Sequence, residues 1–133
     1  METGRITIIR ARRPAKREVN EELKWLGISL GLFGMRDKDS SCFRIFIELL
    51  KSSRQKEALT SDMVAYRLRL TRGTVIHHIN KLMESGIVVS DKNRYMLRAQ
   101  TLSYLIDDIE SDFKHSIDEL KKVAKEIDSN MGF

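Results

Sequence analysis

Residues 70–97 read LTRGTVIHHINKLMESGIVVSDKNRYML, and they decide the fold. At about 100° per residue, Val75, Ile79, Leu82 and Met83 fall on one side of a helix opened by Thr71. Arg72, Gly73, Thr74, His77, Asn80, Lys81 and Glu84 lie around its other side. Gly86 stands where a helix C-terminus needs a positive φ. "IVVS" and "RYML" then predict two short strands around "DKN", a hairpin with basic residues at its tip. One face of the helix belongs to a core, and its other face is free to touch something else.

Working upstream, "LTSDMVAYRLRL" opens with Thr60 or Ser61 as a cap, buries Val64, Ala65 and Leu68, and leaves Arg67 and Arg69 outward. A short turn around Leu70 joins this helix to the next, the arrangement a helix-turn-helix requires. "SSCFRIFIELLKSS" takes Ser40 or Ser41 as cap and places Phe43, Phe46, Ile47 and Leu50 on one face, widened by Ile45 and Leu49. So broad an apolar face predicts the centre of the core. Val19, Leu23, Leu26, Leu30 and Phe33 predict an earlier amphipathic helix, ended by Gly31, Gly34 and "RDKD". Before it, "GRITIIRARRPAK" reads as a short strand or a basic arm.

Downstream, Leu102, Leu105, Ile106, Ile109, Phe113, Ile117, Leu120, Ala124 and Ile127 follow steps of three and four without Pro or Gly. A helix of that length projects about 40 Å, more than a small core covers. A second copy of the same helix is the simplest partner for the uncovered part.

The 133 residues supply one modest core, with 24 Lys plus Arg against 19 Asp plus Glu. Residues 54–98 carry nine basic and four acidic side chains (+5), whereas residues 99–133 carry four and eight (−4). A basic surface attracts polyanions, and an acidic helix is unsuited to lie on DNA. The single cysteine, Cys42, excludes an internal disulfide and a multi-cysteine metal site within one chain, which favours a cytoplasmic protein. No run reaches the roughly 18 to 20 apolar residues of a membrane span, and the first residues lack a secretory h-region.

A helix-turn-helix followed by a hairpin is a winged helix, whose second helix fits a major groove about 12 Å wide. Arg72 can make a bidentate contact to guanine, Gly73 and Thr74 permit close approach, and His77 and Asn80 can bond base edges or phosphates. Lys81, Arg67, Arg69, Lys92 and Arg94 supply phosphate contacts.

"TVIHHINKLMESGIVV", residues 74–89, resembles the recognition helix and following strand of ArsR-type winged-helix transcription regulators, and "RYML" resembles their second wing strand. Residues 41–100 follow the same order of elements. The resemblance implies a homodimer that binds operator DNA and represses transcription, with Arg72, Thr74 and His77 facing bases and Val75, Ile79 and Leu82 in the core. Ile76 departs from it, standing where the family carries a polar residue; it would touch a thymine methyl or pack back onto the core. The metal-sensing members use clustered cysteines, which this chain lacks.

Blander readings stand beside these. His77 and His78 are adjacent, so they point about 100° apart and make a poor metal pair. Lys92 and Arg94 would also suit a solvated hairpin tip. Arg5, Arg10, Arg12, Arg13, Lys16 and Arg17 would serve a minor-groove arm or a solvated segment. The acidic run Asp107, Asp108, Glu110, Asp112 points in several directions, and no nucleophile motif, phosphate loop or His-Glu-x-x-His pattern supports an enzyme.

The expected architecture is therefore mainly α (α+β): a basic arm or strand over 1–17, a winged helix-turn-helix over 18–100, and a dimerisation helix over 101–130. The expected partners are double-stranded DNA and a second copy, with no cofactor, metal or membrane. The expected dimer interface is Leu102, Leu105, Ile106, Ile109, Phe113, Ile117, Leu120 and Ile127. An effector between the long helix and the domain would be compatible, although no residue names one. The contrasting expectation is a winged-helix module that binds protein within a larger assembly.

Overall fold

The computed structural model describes residues 6–15, 17–34, 37 and 40–133. It divides into two compact units, Met1–Gln100 and Thr101–Phe133. The first holds α1 (Val19–Ser29), α2 (Ser41–Arg54), β1 (Leu59–Thr60), α3 (Ser61–Leu68), α4 (Arg72–Glu84), β2 (Val88–Asp91) and β3 (Arg94–Leu97). The second is the single helix α5 (Leu102–Met131). The fold is mainly helical, with one antiparallel sheet in the order β1-β3-β2.

Helix α2 is the hub, packing against α3, α4 and β3. Its deeply buried residues are Cys42, Ile45, Phe46, Leu49 and Ser53, while Ile47 and Leu50 are only half-buried. The buried face is thus centred one residue away from the expected Phe43, Phe46, Ile47 and Leu50, because neighbours on several sides cover the flank that carries Ile45 and Leu49. Facing it, Val64 of α3, Val75, Ile79 and Leu82 of α4, Leu59, Val88 and Leu97 of the sheet, and Ile87 just before β2 are all buried. Each such side chain contributes roughly 1.5 to 3 kcal/mol by leaving water.

The helix starts show which polar residues do the capping. Thr60 and Thr71 accept the backbone N–H groups of Met63 and Thr74 at 3.1 and 3.2 Å; Thr71 is the cap the sequence predicts, and of the two candidates at α3 the cap is Thr60. At α2 the Ser40 side chain makes no cap bond: Ser40 has φ +53, and the Asp37 carboxylate accepts from the N–H groups of Cys42 and Phe43 instead. A carboxylate there also opposes the positive end of the helix dipole.

Two further differences concern strands. Leu59–Thr60 forms a third strand, too short for any periodicity to reveal, paired with Tyr95 and Arg94 of β3. No strand forms over residues 6–15. That segment lies along α1 instead: the Ile9 N–H donates to the Ser29 carbonyl at 2.7 Å and the Trp25 indole N–H to the Ala11 carbonyl at 3.0 Å. The chain leaves α1 through Gly31 at φ +69, and the Phe33 ring folds back onto Gly27, where a Cβ would sit 2.1 Å from it. Phe33 then meets Phe43 edge to face at 5.6 Å, fastening α1 to α2.

In the second unit, Thr101 caps α5 by accepting the Tyr104 N–H at 3.1 Å. Leu105 and Ile109 are already buried in the single chain, and Leu102 and Phe113 are half-buried. Ile106, Ile117, Leu120, Val123, Ile127 and Met131 are exposed. The part of the expected dimer interface open to a partner is therefore Ile106 and the distal stretch from Ile117 onward. No helix among the described residues is long and apolar enough to cross a membrane.

Candidate nucleic-acid interface

Three residues separate α3 from α4, and the turn they make is fixed by backbone bonds. Arg69 adopts φ +55, its N–H bonds the Tyr66 carbonyl, and the Leu70 N–H bonds the Ala65 carbonyl at 3.0 Å. The Arg44 guanidinium, from α2, donates to the last carbonyl of α3, Leu68. The apolar side of α4 is thereby pinned to the core, and its other side is held outward.

That outward side carries the residues expected there. Arg72, Gly73, His77, Asn80 and Lys81 are exposed, with Gly73, His77, Asn80 and Glu84 forming one row along the helix. His78 and Ile76 are half-buried on its flanks. Thr74 is half-buried, and its hydroxyl lies 2.8 Å from that of Thr71, so it completes the cap. Gly73 stands out because a Cβ built on it would meet nothing within 4 Å, and its φ is ordinary for a helix. Neither packing nor backbone conformation within the chain requires glycine there, yet glycine in a helix costs about 0.5 to 1 kcal/mol relative to alanine.

The arginines divide into two kinds. Arg67 lies between two carboxylates, 3.3 Å from Glu48 and 3.2 Å from Glu57, and these bonds, Glu48's first, raise its pKa. It serves as a strut between α2 and α3, and is poorly placed for the phosphate role expected of it. Arg72 is 3.5 Å from Asp62, but both side chains are about 70% exposed (69% and 74%), so the pair is weak and easily exchanged. Arg69 is exposed at the turn.

The hairpin presents Lys92 and Asn93 at its tip, both with positive φ, joining Asp91 to Arg94 as a two-residue turn. Arg94 is exposed, and its guanidinium donates to the Ala58 carbonyl at 3.3 Å, so it lies along the edge of the sheet toward β1. Tyr66, 87% exposed on α3, is a neighbour that sequence reasoning passed over; only its position outside the Val64 and Leu68 spacing marks it.

Other candidate sites recede. The His77 and His78 rings touch edge to face at 5.2 Å, and no group of three metal-ligating side chains occurs among the described residues. Burial, with a smaller push from Asp37, takes the Cys42 thiol from 9.0 up to about 12, and its Sγ donates to the Leu32 carbonyl at 3.5 Å. In the N-terminal segment Arg10, Arg12 and Arg17 are exposed and Arg13 stacks on Trp25 at 5.8 Å, while Arg5 and Lys16 lie outside the described residues. Comparison of the chain with family models, curated proteins and solved structures returns no match.

Proposed function

We propose that this chain is a winged helix-turn-helix protein that binds double-stranded DNA sequence-specifically, as a homodimer joined through its long C-terminal helix, and represses transcription. In this reading α3 and α4 are the helix-turn-helix, α4 is the recognition helix, and the β2–β3 hairpin is the wing. The observation that carries it is Gly73. A glycine that the chain does not need for itself, exposed in the first turn between Arg72 and Thr74, leaves room for another backbone to approach closely.

Arg72 exchanges its weak contact with Asp62 for a guanine edge, and His77 and Asn80 read the bases that follow. Lys81, Arg69, Lys92 and Arg94 contact phosphates. The resemblance of residues 74–89 to ArsR-type regulators supports the same assignment and adds the repressor role.

A fluorescence titration against the duplex upstream of the chain's own gene and against a scrambled duplex, repeated across salt, tests it. The expected result is tighter binding to the native duplex. Affinity should fall with salt at a log–log slope of roughly −4 per protomer, from four phosphate contacts at about −0.9 each. Weak, equal binding to both duplexes would overturn the assignment. It would favour the second reading, a protein-binding winged helix, for which the pairing of Arg67 with Glu48 and Glu57 is the supporting observation.

A further inference from the structure

From Phe113 onward the apolar residues of α5 settle into a heptad: Phe113, Ile117, Leu120, Ala124, Ile127 and Met131 alternate steps of four and three. Leu120 and Ile127 are 65% and 51% exposed, so from Ile117 onward this seam is uncovered in the single chain, while Phe113 at its start is half-buried. With Ile117, Ala124 and Met131 at a, the d residues are Phe113, Leu120 and Ile127. The flanking e positions are Lys114, Lys121 and Asp128, and the g positions are Ser116, Val123 and Asn130.

We propose that this seam pairs with the same helix of a second copy in antiparallel orientation, centred on residue 122. The inference rests on the homodimer reading above and adds the direction and alignment of the two helices. Antiparallel helices place a residues opposite d residues, which matches Leu120 with Ala124, Ile117 with Ile127, and Phe113 with Met131. A large side chain then meets a small one at the centre, and the layers are more even in volume than a parallel pair would make them, which favours interdigitated packing. A parallel pair would instead set Ala124 against Ala124, a gap, and Phe113 against Phe113.

Charge selects the same direction. In an antiparallel pair e residues face e residues, so Lys114 meets Asp128 of the second copy at both ends, and Val123 meets its own copy on the opposite flank. Lys121 meets its own copy at the centre, one like-charge contact against two opposite-charge contacts. In a parallel pair e faces g, giving no charge pair and laying Val123 against the Asp128 carboxylate.

Two measurements on the full-length chain test this. Sedimentation equilibrium should show Lys114→Glu and Asp128→Lys each weakening the dimer roughly threefold to tenfold, with the double exchange restoring it. Spin labels on His115→Cys, Lys122→Cys and Ser129→Cys, in a Cys42→Ser background, should be closest at 122. At 115 and 129 they should be farther apart and equally so, offset along the axis by about 21 Å. A dimer with equal separations at all three sites, or exchange without rescue, overturns the antiparallel pairing and leaves the homodimer standing. A chain that stays monomeric overturns both.

Discussion

The buried hydroxyl of Ser53, near the end of α2, accepts the backbone N–H of Leu97 in β3 at 2.9 Å. This bond joins the hub helix to the strand that carries Arg94, so the hairpin is tethered at its base by a side chain as well as by packing. Ser53→Ala leaves a buried N–H without that acceptor, and stability should fall by about 1 to 3 kcal/mol in urea unfolding. A loss under roughly 0.5 kcal/mol would mean that the N–H finds another acceptor.

Gly73→Ala separates folding from binding. Because a Cβ there meets nothing within 4 Å, the variant should be more stable, by up to about 1 kcal/mol at this first-turn position. If a partner's backbone passes against that position, affinity for the native duplex should fall at the same time. Unchanged affinity in the titration would remove the close approach on which the proposed function rests.

Arg72 and Lys92 should fail in different ways. Arg72→Ala should cost about 1 to 3 kcal/mol on the preferred duplex and little on scrambled DNA, relaxing specificity. Lys92→Ala should weaken both duplexes alike and reduce the salt slope by about 1. Equal losses on both duplexes for Arg72→Ala would assign it to phosphate.

The Cys42 thiol should be inert and pH-silent until strongly alkaline conditions. Its folded pKa is raised to about 12 against 9.0, so the folded chain keeps a proton that the unfolded chain loses between those values. The stability it lends is complete below pH 9 and falls as pH rises toward 12. Cys42→Ala should show a flatter decline across that window. A thiol reagent at pH 8 should react only as the chain unfolds, and rapid native reaction would contradict the burial seen here.

How far the sequence revealed this depends on how many residues speak for each feature. The helix of residues 72–84 was legible because its caps, its apolar spacing and Gly86 all agree, and the exposed set Arg72, Gly73, His77, Asn80 and Lys81 follows from them. The strand at Leu59–Thr60 was not, since two residues have no period and Thr60 also caps a helix. Nor could spacing show that Arg67 is held by Glu48 and Glu57, nineteen and ten residues away, or that Asp37 caps α2 in place of Ser40. The Arg67 contacts are tertiary, the Asp37 cap reaches five and six residues across a turn, and each replaces a role that the nearest neighbours would have assigned.

The turn between α3 and α4 sets a fixed length within the chain. Leu70 bonds back to Ala65, Arg44 reaches the Leu68 carbonyl, and Val75 must enter the core a few residues later. A residue added there would rotate every outward side chain of α4 by about 100° and carry Val75 out of the interior. Insertions and deletions should thus be forbidden between Ala65 and Val75, whereas the tip at Lys92 and Asn93 has room to lengthen. A library carrying single-residue insertions along the chain would draw that boundary directly.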